Sequence, residues 1–469
     1  MNLFEKRFGA LLCRFFLTTI FVAGVSACAP KVEQHPNEGR PLPRSLGESI
    51  PAYESVEISV DTSAATAIPD DLTGVVTLRN ALAQALLKNP DLAVFSWEVR
   101  VASARILQAD LSPNPEFNAE VENFGGSDAR RNFDGAESTF ALSQMIELGG
   151  KRDKRTRVAS LERNLAGWDF EAKRLDVYVA TTKAFMSTLT AQRRNDLKKE
   201  QFALATRVRD TVEERVRAGR ASPLEGIKAT ITLEASQIEA QRAVRELQAA
   251  RDKLAALWGA VTARFDRVEG ELEKVSPLPP LADLINRIKQ NPDVARAEME
   301  FELRRSNLAL QKANDIPDVT FNAGVRRYEE SNDSAFVLGV SIPIPVFGIN
   351  RGGILEADRR LAQQKYRRQA GVVDVTSTLK QTYREAAALH SEIVALRETI
   401  LTGAQRAFDA AELGYGQGKF DFLEVLDAQR TLFEVRERHL DTTSAYHSAT
   451  LDIERLTGQA LVSAPGRSK

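Results

Sequence analysis

Cysteine is nearly absent from this sequence, and its absence removes several kinds of chemistry. The chain has 469 residues and only two cysteines, Cys13 and Cys28, which both precede residue 29. The body of the protein therefore holds no disulfide and no thiolate metal site. Aromatic residues are also few, at 7%, whereas charged residues make up 27%, a composition more typical of long, solvent-exposed helices than of compact globules.

Catalytic and metal-binding patterns are missing as well. The sequence contains no P-loop, GxSxG or HExxH motif, and Gly149-Gly150-Lys151 lacks the spacing of a phosphate-binding loop. Of the four histidines, His439 and His447 are eight positions apart, whereas a metal pair on one helix face needs a spacing of three or four. We therefore predict no enzyme activity, no cofactor and no bound metal. Lys and Arg number 63 against 64 Asp and Glu, so the net charge does not indicate a nucleic-acid partner.

Long apolar runs are absent after residue 25. Residues 15–25 are apolar but too few to span a bilayer, and basic residues precede them, which predicts a signal peptide over residues 1–27. The run ends in Val25-Ser-Ala-Cys28, which resembles a bacterial lipobox and predicts lipidation of Cys28. An ordinary signal peptide with an incidental cysteine is the alternative. If the protein itself crosses a membrane, we expect it to do so with strands.

Proline is unevenly distributed, and its pattern divides the chain. Residues 28–75 contain six prolines and little periodicity, which predicts an extended N-terminal arm. Residues 151–218 and 351–414 contain no proline, and each segment predicts one long helix; the first would extend about 100 Å at about 1.5 Å per residue. Amphipathic segments at 222–258 and 421–456 predict shorter helices that return alongside the long ones.

Two short stretches, 217–225 and 416–424, predict the tips of helical hairpins. In each, a glycine (Gly219 or Gly418) is suited to the left-handed conformation that ends a helix, and an N-cap residue (Ser222 or Asp421) follows three positions later. A glutamate three positions after the N-cap completes a capping box. The two glycines are 199 positions apart, and the apolar seams that follow the tips match at the same offset. This agreement predicts an internal duplication.

The predicted repeats are residues 76–260 and 281–458, joined by a linker at 261–280 and followed by a tail at 459–469. Asn-Pro-Asp occurs near the start of each repeat, at residues 89–91 and 291–293, between a short helix and a second helix. Two strands, the long helix, the tip and the return helix follow in both repeats. The same order of elements therefore occurs twice.

Alternating residues predict two strands in each repeat, at 115–124 and 140–143 in the first and at 319–326 and 336–342 in the second. Tilted strands with one apolar face can cross an outer membrane if they have about 9–11 residues. Glu120, Glu122, Asn322 and Arg326 fall on the polar side of the alternation. Two soluble hairpins packed on helices would give the same pattern, and a solvated strand face would explain the same four residues.

The order of elements and two local motifs resemble TolC-type outer-membrane efflux proteins. The motifs are Leu142-Ser-Gln-Met-Ile-Glu-Leu-Gly-Gly-Lys-Arg152 and Val340-Ser-Ile-Pro-Ile-Pro-Val-Phe-Gly-Ile-Asn-Arg-Gly352. Both are similar to strand-to-helix segments of the heavy-metal (CzcC-like) branch. The resemblance covers nearly everything after residue 75. A lipidated Cys28 departs from it, because such a signal is more similar to that of the copper–silver and drug-efflux members.

The resemblance implies a fold that is mainly α with a small β part. Three chains of four strands each would close one 12-stranded membrane β-barrel, since the smallest membrane barrels have about eight strands. The duplicated long-helix hairpins would continue it as a periplasmic α-barrel. The implied function is that of the outer-membrane channel of a tripartite (RND-type) efflux system. It would passively conduct substrates, heavy-metal cations such as cobalt, zinc and cadmium or copper and silver, from periplasm to exterior. Glu120, Glu122, Asn322 and Arg326 would face the lumen.

The resemblance also implies partners. They are two further copies of the chain, a periplasmic membrane-fusion (adaptor) protein, an inner-membrane RND pump and outer-membrane lipid. The adaptor would contact the hairpin tips at Arg217, Gly219, Ser222, Tyr415, Gly418 and Asp421. Helix capping alone explains the two glycines and the two N-caps, but not Arg217 or Tyr415. Two other functions remain open: an outer-membrane duct for drug efflux or type I protein secretion, and a soluble periplasmic coiled-coil adaptor or scaffold.

Overall fold

The computed structural model describes residues 71–461. The predicted signal peptide, Cys28, nearly all of the predicted arm and the end of the predicted tail lie outside the described residues. Between residues 71 and 461 the protein is mainly helical with a small strand part, as the sequence predicts. Among the helices of this region, none contains a stretch long and apolar enough to cross a bilayer.

The elements follow one another in the order that the sequence predicts, with a few additions. The helices are α1 (Leu78–Lys88), α2 (Pro90–Ala109), α3 (Lys151–Arg217), α4 (Pro223–Ala256), α5 (Leu281–Arg287), α6 (Pro292–Asn314), α7 (Arg351–Ala395), α8 (Leu401–Gly416) and α9 (Phe422–Thr457). The strands are β1 (Gly74–Thr77), β2 (Glu116–Glu122), β3 (Glu137–Ile146), β4 (Phe265–Glu269), β5 (Val319–Tyr328) and β6 (Asp333–Ser341).

Helix α3 has 67 residues and organises the packing of the helices. It packs against α4 and α9 and against both α2 and α6, so that elements from early and late in the chain share its surface. The second long segment is less regular than predicted. Leu396–Ile400 forms a π-helical turn between α7 and α8. Because this turn contains neither glycine nor proline, the sequence does not mark it.

Four strands form one antiparallel sheet in the order β2-β3-β5-β6. The register pairs apolar residues with one another: Ala119 with Phe140, Phe140 with Val325, and Val325 with Phe336. Directly opposed residues lie on the same face of a sheet, so one face is almost entirely apolar. Its large side chains remain exposed, with Phe336 at 89% and Leu338 at 83%. This apolar face has no covering layer among the described residues.

A second, two-stranded sheet pairs β1 and β4 in parallel. The sequence does not predict this sheet, because strands of four and five residues are too short to show an alternation. β4 lies within the segment predicted as a linker. Phe265 and Val268 of β4 are buried in a core with Phe185 and Leu189 of α3. The linker therefore contributes to the core beside the long helix.

The two Asn-Pro-Asp motifs adopt the same arrangement. Asn89 Oδ1 accepts the backbone N–H of Leu92 at 2.8 Å, and its Nδ2 donates to the carbonyl of Leu257 at 2.8 Å, just beyond the end of α4. Asn291 Oδ1 accepts the N–H of Asp293 at 2.7 Å. Its Nδ2 donates to the carbonyl of Leu456, near the end of α9, at 2.9 Å. Each asparagine thus caps the start of one helix and the end of another.

Ion pairs connect α3 to α9 along much of their contact. Lys183 Nζ lies 2.6 Å from Asp452 Oδ1, and Arg436 Nη1 lies 2.8 Å from Glu200 Oε1. Further pairs along the same contact are Arg455 with Asp176, Arg194 with Asp441, and Lys198 with Glu437. As the residue numbers rise along α3, those of the partners on α9 fall. This set of ion pairs, the α3–α9 ionic seam, therefore holds the two helices in antiparallel register.

Candidate functional site

Both predicted hairpin tips have the expected backbone. Gly219 and Gly418 have φ values of 69° and 72°, in the left-handed region, and no atom of the described residues lies near the position of a Cβ. The N–H of Arg220 donates to the carbonyl of Arg215, and that of Lys419 to the carbonyl of Gly414, both at 2.8 Å. These six-to-one bonds are the Schellman motif that closes a helix.

The predicted N-caps are also in place. The N–H of Leu224 donates to Ser222 Oγ at 3.2 Å, and the N–H of Ser222 donates to Glu225 Oε1 at 3.1 Å. At the second tip the N–H of Asp421 donates to Glu424 Oε2 at 3.1 Å. At both tips, local side chains therefore accept hydrogen bonds from backbone N–H groups at the start of the following helix.

Tyr415 connects the second tip to the first. Its side chain is 8% exposed, and its ring centroid lies 5.7 Å from that of Phe422. The Arg215 guanidinium carbon lies 4.2 Å from the centre of the Tyr415 ring, and Arg215 Nη1 donates to the Tyr415 carbonyl at 2.5 Å. The Tyr415 hydroxyl donates to Glu225 Oε2 at 3.3 Å. We call the group of Arg215, Glu225, Tyr415 and Phe422 the tip clip.

Glu225 performs two tasks in the tip clip. One carboxylate oxygen closes the capping box of α4 and the other accepts the tyrosine hydroxyl, so the cap of one hairpin is joined to the end of the other. Burial, followed by the neighbouring Glu225 carboxylate, raises the pKa of Tyr415, and Arg215 opposes this effect. The hydroxyl therefore keeps its proton at neutral pH and remains a donor.

The other predicted tip residues are exposed. Arg217, Gly219, Ser222, Gly418 and Asp421 all face solvent, so nothing within residues 71–461 of a single copy covers them. Beside Arg217 lies a groove of about 480 Å³ with Val216, Pro223, Ile227 and Ile231 among its lining residues. Tyr415 differs, because its side chain contacts the first hairpin. Adaptor contact stays a prediction for all six residues.

The four polar strand residues share one face of the sheet, as the alternation predicts. Glu120 opposes Thr139, and Arg326 opposes Thr139 from the other side. Arg326 Nη1 donates to Glu137 Oε2 at 2.9 Å, and its Nη2 lies 3.4 Å from Glu122 Oε2. Asn322 lies further along the same face and is half-buried.

Two of the histidines between residues 71 and 461, His390 and His447, contact neighbouring residues of the helical region. His447 Nε2 lies 2.7 Å from the carbonyl oxygen of Leu272, and burial lowers the pKa of this imidazole. The His390 ring lies 5.7 Å from that of Tyr446. In residues 71–461, no three His, Cys, Asp or Glu side chains are grouped so that they could hold a metal ion.

Sequence reasoning missed Arg215 and Phe422 as partners of Tyr415. The contact between Arg215 and Tyr415 joins residues 200 positions apart, and no local motif signals it. Sequence reasoning assigned Glu225 to the capping box alone. The sequence gives only an indirect signal. Tyr415 is a large residue at a hairpin tip, and helix capping does not explain its presence there.

Comparison with known proteins agrees with this architecture. The family model "Outer membrane efflux protein" matches residues 81–260 and 285–459. The cobalt-zinc-cadmium resistance protein CzcC of Cupriavidus metallidurans is 31% identical over 419 residues, covering 89% of this chain and 99% of that protein. The nickel-cobalt-cadmium resistance protein NccC of Alcaligenes xylosoxydans xylosoxydans is 28% identical, covering 66% of this chain and 69% of that protein.

Solved structures show the same fold. The crystal structure of VceC from Vibrio cholerae has a TM-score of 0.68 at 18% identity, covering 82% of this chain and 97% of that one. A crystal structure of CusC has a TM-score of 0.69 at 18% identity, covering 81% of this chain and 92% of that one. With two segments that together span most of the chain matched, and one relative aligned over almost its whole length, this chain belongs to the outer membrane efflux protein family.

Proposed function

We propose that three copies of this chain form the outer-membrane exit duct of a tripartite efflux system whose cargo is heavy-metal cations. One observation carries the proposal. A four-stranded sheet exposes a wide apolar face and has one edge of β2 and one edge of β6 unpaired among the described residues. Neither feature suits a protein that stays in water as a single copy.

The sheet gives the physical reason for three copies. Unpaired backbone groups in hydrocarbon cost several kcal/mol each, so an open sheet cannot cross a membrane. The smallest membrane barrels have about eight strands, and four are too few to close. Pairing β6 of one copy with β2 of the next would satisfy both edges, and three copies would complete a 12-stranded barrel. Phe336 and Leu338 would then face lipid, and Glu120, Glu122, Asn322 and Arg326 would face water.

The helices would form the periplasmic part of the duct. The proposed repeats are residues 76–260 and 281–458, each contributing one hairpin to a tunnel wall. Helix α4 supports further assembly because it is apolar on two sides. Its seam toward α3 is buried, while Leu224, Ile227, Ile231 and Ile238 on the other side are each more than half exposed. A neighbouring copy would cover this second stripe.

The tips would be the periplasmic end, where the adaptor of an inner-membrane RND pump would bind. Arg217, Gly219, Ser222, Gly418 and Asp421 are exposed there. Opening of the duct would separate the two hairpins and so break the tip clip around Tyr415. A partner that binds the separated hairpins more tightly than the clipped ones would shift the population toward the open state.

Heavy-metal cargo is supported by the relatives and by charge. CzcC and NccC carry names that assign them to cobalt, zinc, cadmium and nickel resistance. In the four-stranded sheet, the polar face carries five carboxylates and one guanidinium, which favours cations in an enclosed lumen. The charged residues are Glu116, Glu120, Glu122, Glu137, Asp333 and Arg326. We further propose that Cys28 is lipidated and anchors the N-terminus in the outer membrane.

Three measurements test the proposal. The purified protein should sediment as a trimer in detergent and form ion-conducting channels in a planar bilayer. Deletion of its gene should lower the tolerance of the host to cobalt, zinc or cadmium, and the intact gene should restore it. A folded monomer that stays in detergent-free buffer and conducts no ions would contradict the duct. Unchanged metal tolerance with normal conductance would contradict only the cargo.

A further inference from the structure

The segment between β6 and α7 exposes more apolar surface than its surroundings explain. Residues 342–350 contain five large apolar side chains that project into solvent. Phe347 is 93% exposed, Ile344 82% and Val346 72%, and Ile342 and Ile349 are about half exposed. Such a cluster in a connecting loop is unfavourable in water and marks a surface that contacts something apolar.

The backbone of this loop holds these side chains outward. Pro343 and Pro345 fix two φ angles, and Gly348 has a φ of 77°, which only glycine adopts easily. The N–H of Gly348 donates to the carbonyl of Pro345 at 3.3 Å and closes a tight turn with Phe347 at its outer end. The Arg351 side chain lies across Gly348, where a Cβ would be 2.8 Å from Nε.

The base of the loop is fixed to the helices. Asn350 Nδ2 donates to the Gln311 carbonyl at 2.8 Å and to Gln311 Oε1 at 2.7 Å. The N–H of Asn350 donates to Asp315 Oδ1 at 3.0 Å. The loop is therefore anchored at one end of the sheet, beside α6 and α7, and its apolar tip has a defined position.

The β6–α7 loop differs from the turn at the other end of β6. The β5–β6 turn at the far end, residues 329–332, contains Glu329 and Glu330 and no large apolar residue, whereas Phe124 and Phe133 of the β2–β3 loop stack on each other with ring centroids 5.4 Å apart. At the helix end, the β3–α3 connection of residues 147–150 has only Leu148, whereas the β6–α7 loop has five apolar side chains. These continue the row of Leu338 and Val340 along β6, so one apolar surface runs from the sheet into the loop.

We propose that residues 342–349 insert into the membrane leaflet on the helix side of the sheet, with Arg351 at the level of the lipid phosphates. The inference rests on the proposed function, because that function places the apolar face of the sheet in lipid. A lipid surface fits both parts of the site: an acyl layer covers Phe347, Ile344 and Val346, and anionic head groups complement an exposed guanidinium. The loop then fixes how deeply the sheet enters the bilayer.

Fluorescence quenching tests the position of the loop. An environment-sensitive dye is attached to Phe347→Cys in the full-length protein, and signal from unsubstituted protein is subtracted to remove any label on Cys28. The protein is reconstituted in vesicles of phosphatidylethanolamine and phosphatidylglycerol that contain lipids spin-labelled near the head group. Ile344→Cys provides a second probe should Phe347→Cys fail to fold. Leu338→Cys in β6 and Gln381→Cys on an exposed part of α7 are the controls.

The expected result is several-fold quenching of the dye at position 347 by the spin-labelled lipid, with protection from iodide in the water, while position 381 shows the reverse. Protection from iodide without lipid quenching would place the loop against a second copy and overturn the inference. Free access of iodide to 347, with position 338 quenched by lipid, would overturn the loop inference but leave the duct intact. Loss of lipid quenching at 338 as well would overturn both.

Discussion

The hydroxyl of Tyr415 donates to Glu225 Oε2 at 3.3 Å, and through this bond the end of one hairpin holds the cap of the other. The same ring packs on Phe422 and beneath Arg215, so the hydroxyl can be removed without emptying the contact. The two hairpin tips are thus joined by two hydrogen bonds, this one and the bond from Arg215 Nη1 to the Tyr415 carbonyl, and only the first depends on the hydroxyl.

Tyr415→Phe should loosen the tips while leaving the fold intact. One hydrogen bond of this kind contributes about 0.5–1.5 kcal/mol, so the closed state should lose stability by that amount and open several-fold more often. Bilayer conductance should show a higher open probability. Tyr366→Phe, at a position that is 71% exposed, is the matched control and should leave conductance unchanged. Equal open probabilities for the two variants would show that the bond does not restrain the tips.

Two glycines near the second tip provide a matched pair for testing the turn. Gly418 has a φ of 72°, whereas Gly416 ends α8 with φ outside the left-handed region, and both have open space where a Cβ would lie. Gly418→Ala should cost about 1–2 kcal/mol of stability, because an L-residue is strained in that conformation. Gly416→Ala should be neutral or slightly stabilising. Thermal unfolding of the two variants compares them directly, and an equal melting temperature would contradict the assigned turn geometry.

Glu454 should make stability fall as the pH rises. Burial raises its pKa to about 7, although the N–H of Leu461 donates to Oε1 at 2.9 Å and opposes the effect. A carboxyl whose pKa is raised by folding contributes stability that is complete below its unfolded pKa of 4.5 and is lost as the pH passes about 7. The loss is at most about 3 kcal/mol.

Glu454→Gln keeps the shape and removes the titration. Its melting temperature should exceed that of the unsubstituted protein at about pH 8, where the carboxyl is ionised and half-buried, and should be similar at about pH 5. His447 acts in the opposite sense, because burial lowers its pKa and protonation in acid is disfavoured. Glu454→Gln and the unsubstituted protein both retain this effect of His447, so the difference between their melting temperatures reports on Glu454 alone. If the difference between the two melting temperatures is the same at all pH values, the raised pKa of Glu454 does not control stability.

The α3–α9 ionic seam should respond to charge reversal and to salt. Lys183→Glu places a second carboxylate beside that of Asp452 and should lower the melting temperature. The double variant Lys183→Glu/Asp452→Lys should recover most of the lost melting temperature. Each partly exposed pair contributes about 0.2–1 kcal/mol, and salt should reduce the difference between the variants. Arg242→Glu on α4 is the control, because its pair with Glu246 lies on an exposed helix face. If the double variant does not recover the melting temperature, Lys183 and Asp452 do not form a specific ion pair.

The sequence predicts best those features in which the local backbone geometry requires a particular type of residue. Gly219 and Gly418 predicted turns because the left-handed conformation favours glycine, and the alternation around Phe140 and Phe336 predicted strands because side chains in a strand change face at every residue. The apolar seams of α4 and α9 predicted helices that pack on one side. Each of these signals depends on neighbours within a few positions.

Features that depend on distant contacts were not predictable. The bond between Tyr415 and Glu225 joins residues 190 positions apart, and the short parallel strands β1 and β4 exist only because each pairs with the other. The π turn at Leu396–Ile400 has no residue that marks it. The pairing of β2 and β6 edges between copies stays a prediction, since it depends on chains beyond the single one described.

Asparagine stands at positions 89 and 291, where each side chain must accept from one helix start and donate to one helix end. Aspartate has the same length but no N–H, serine and threonine offer a single hydroxyl, and glutamine is one methylene too long. No substitution of either asparagine should therefore preserve both hydrogen bonds. At each of these two positions one carboxamide bonds to both helix ends. To change the spacing between the helices there, both helix ends would have to be redesigned together.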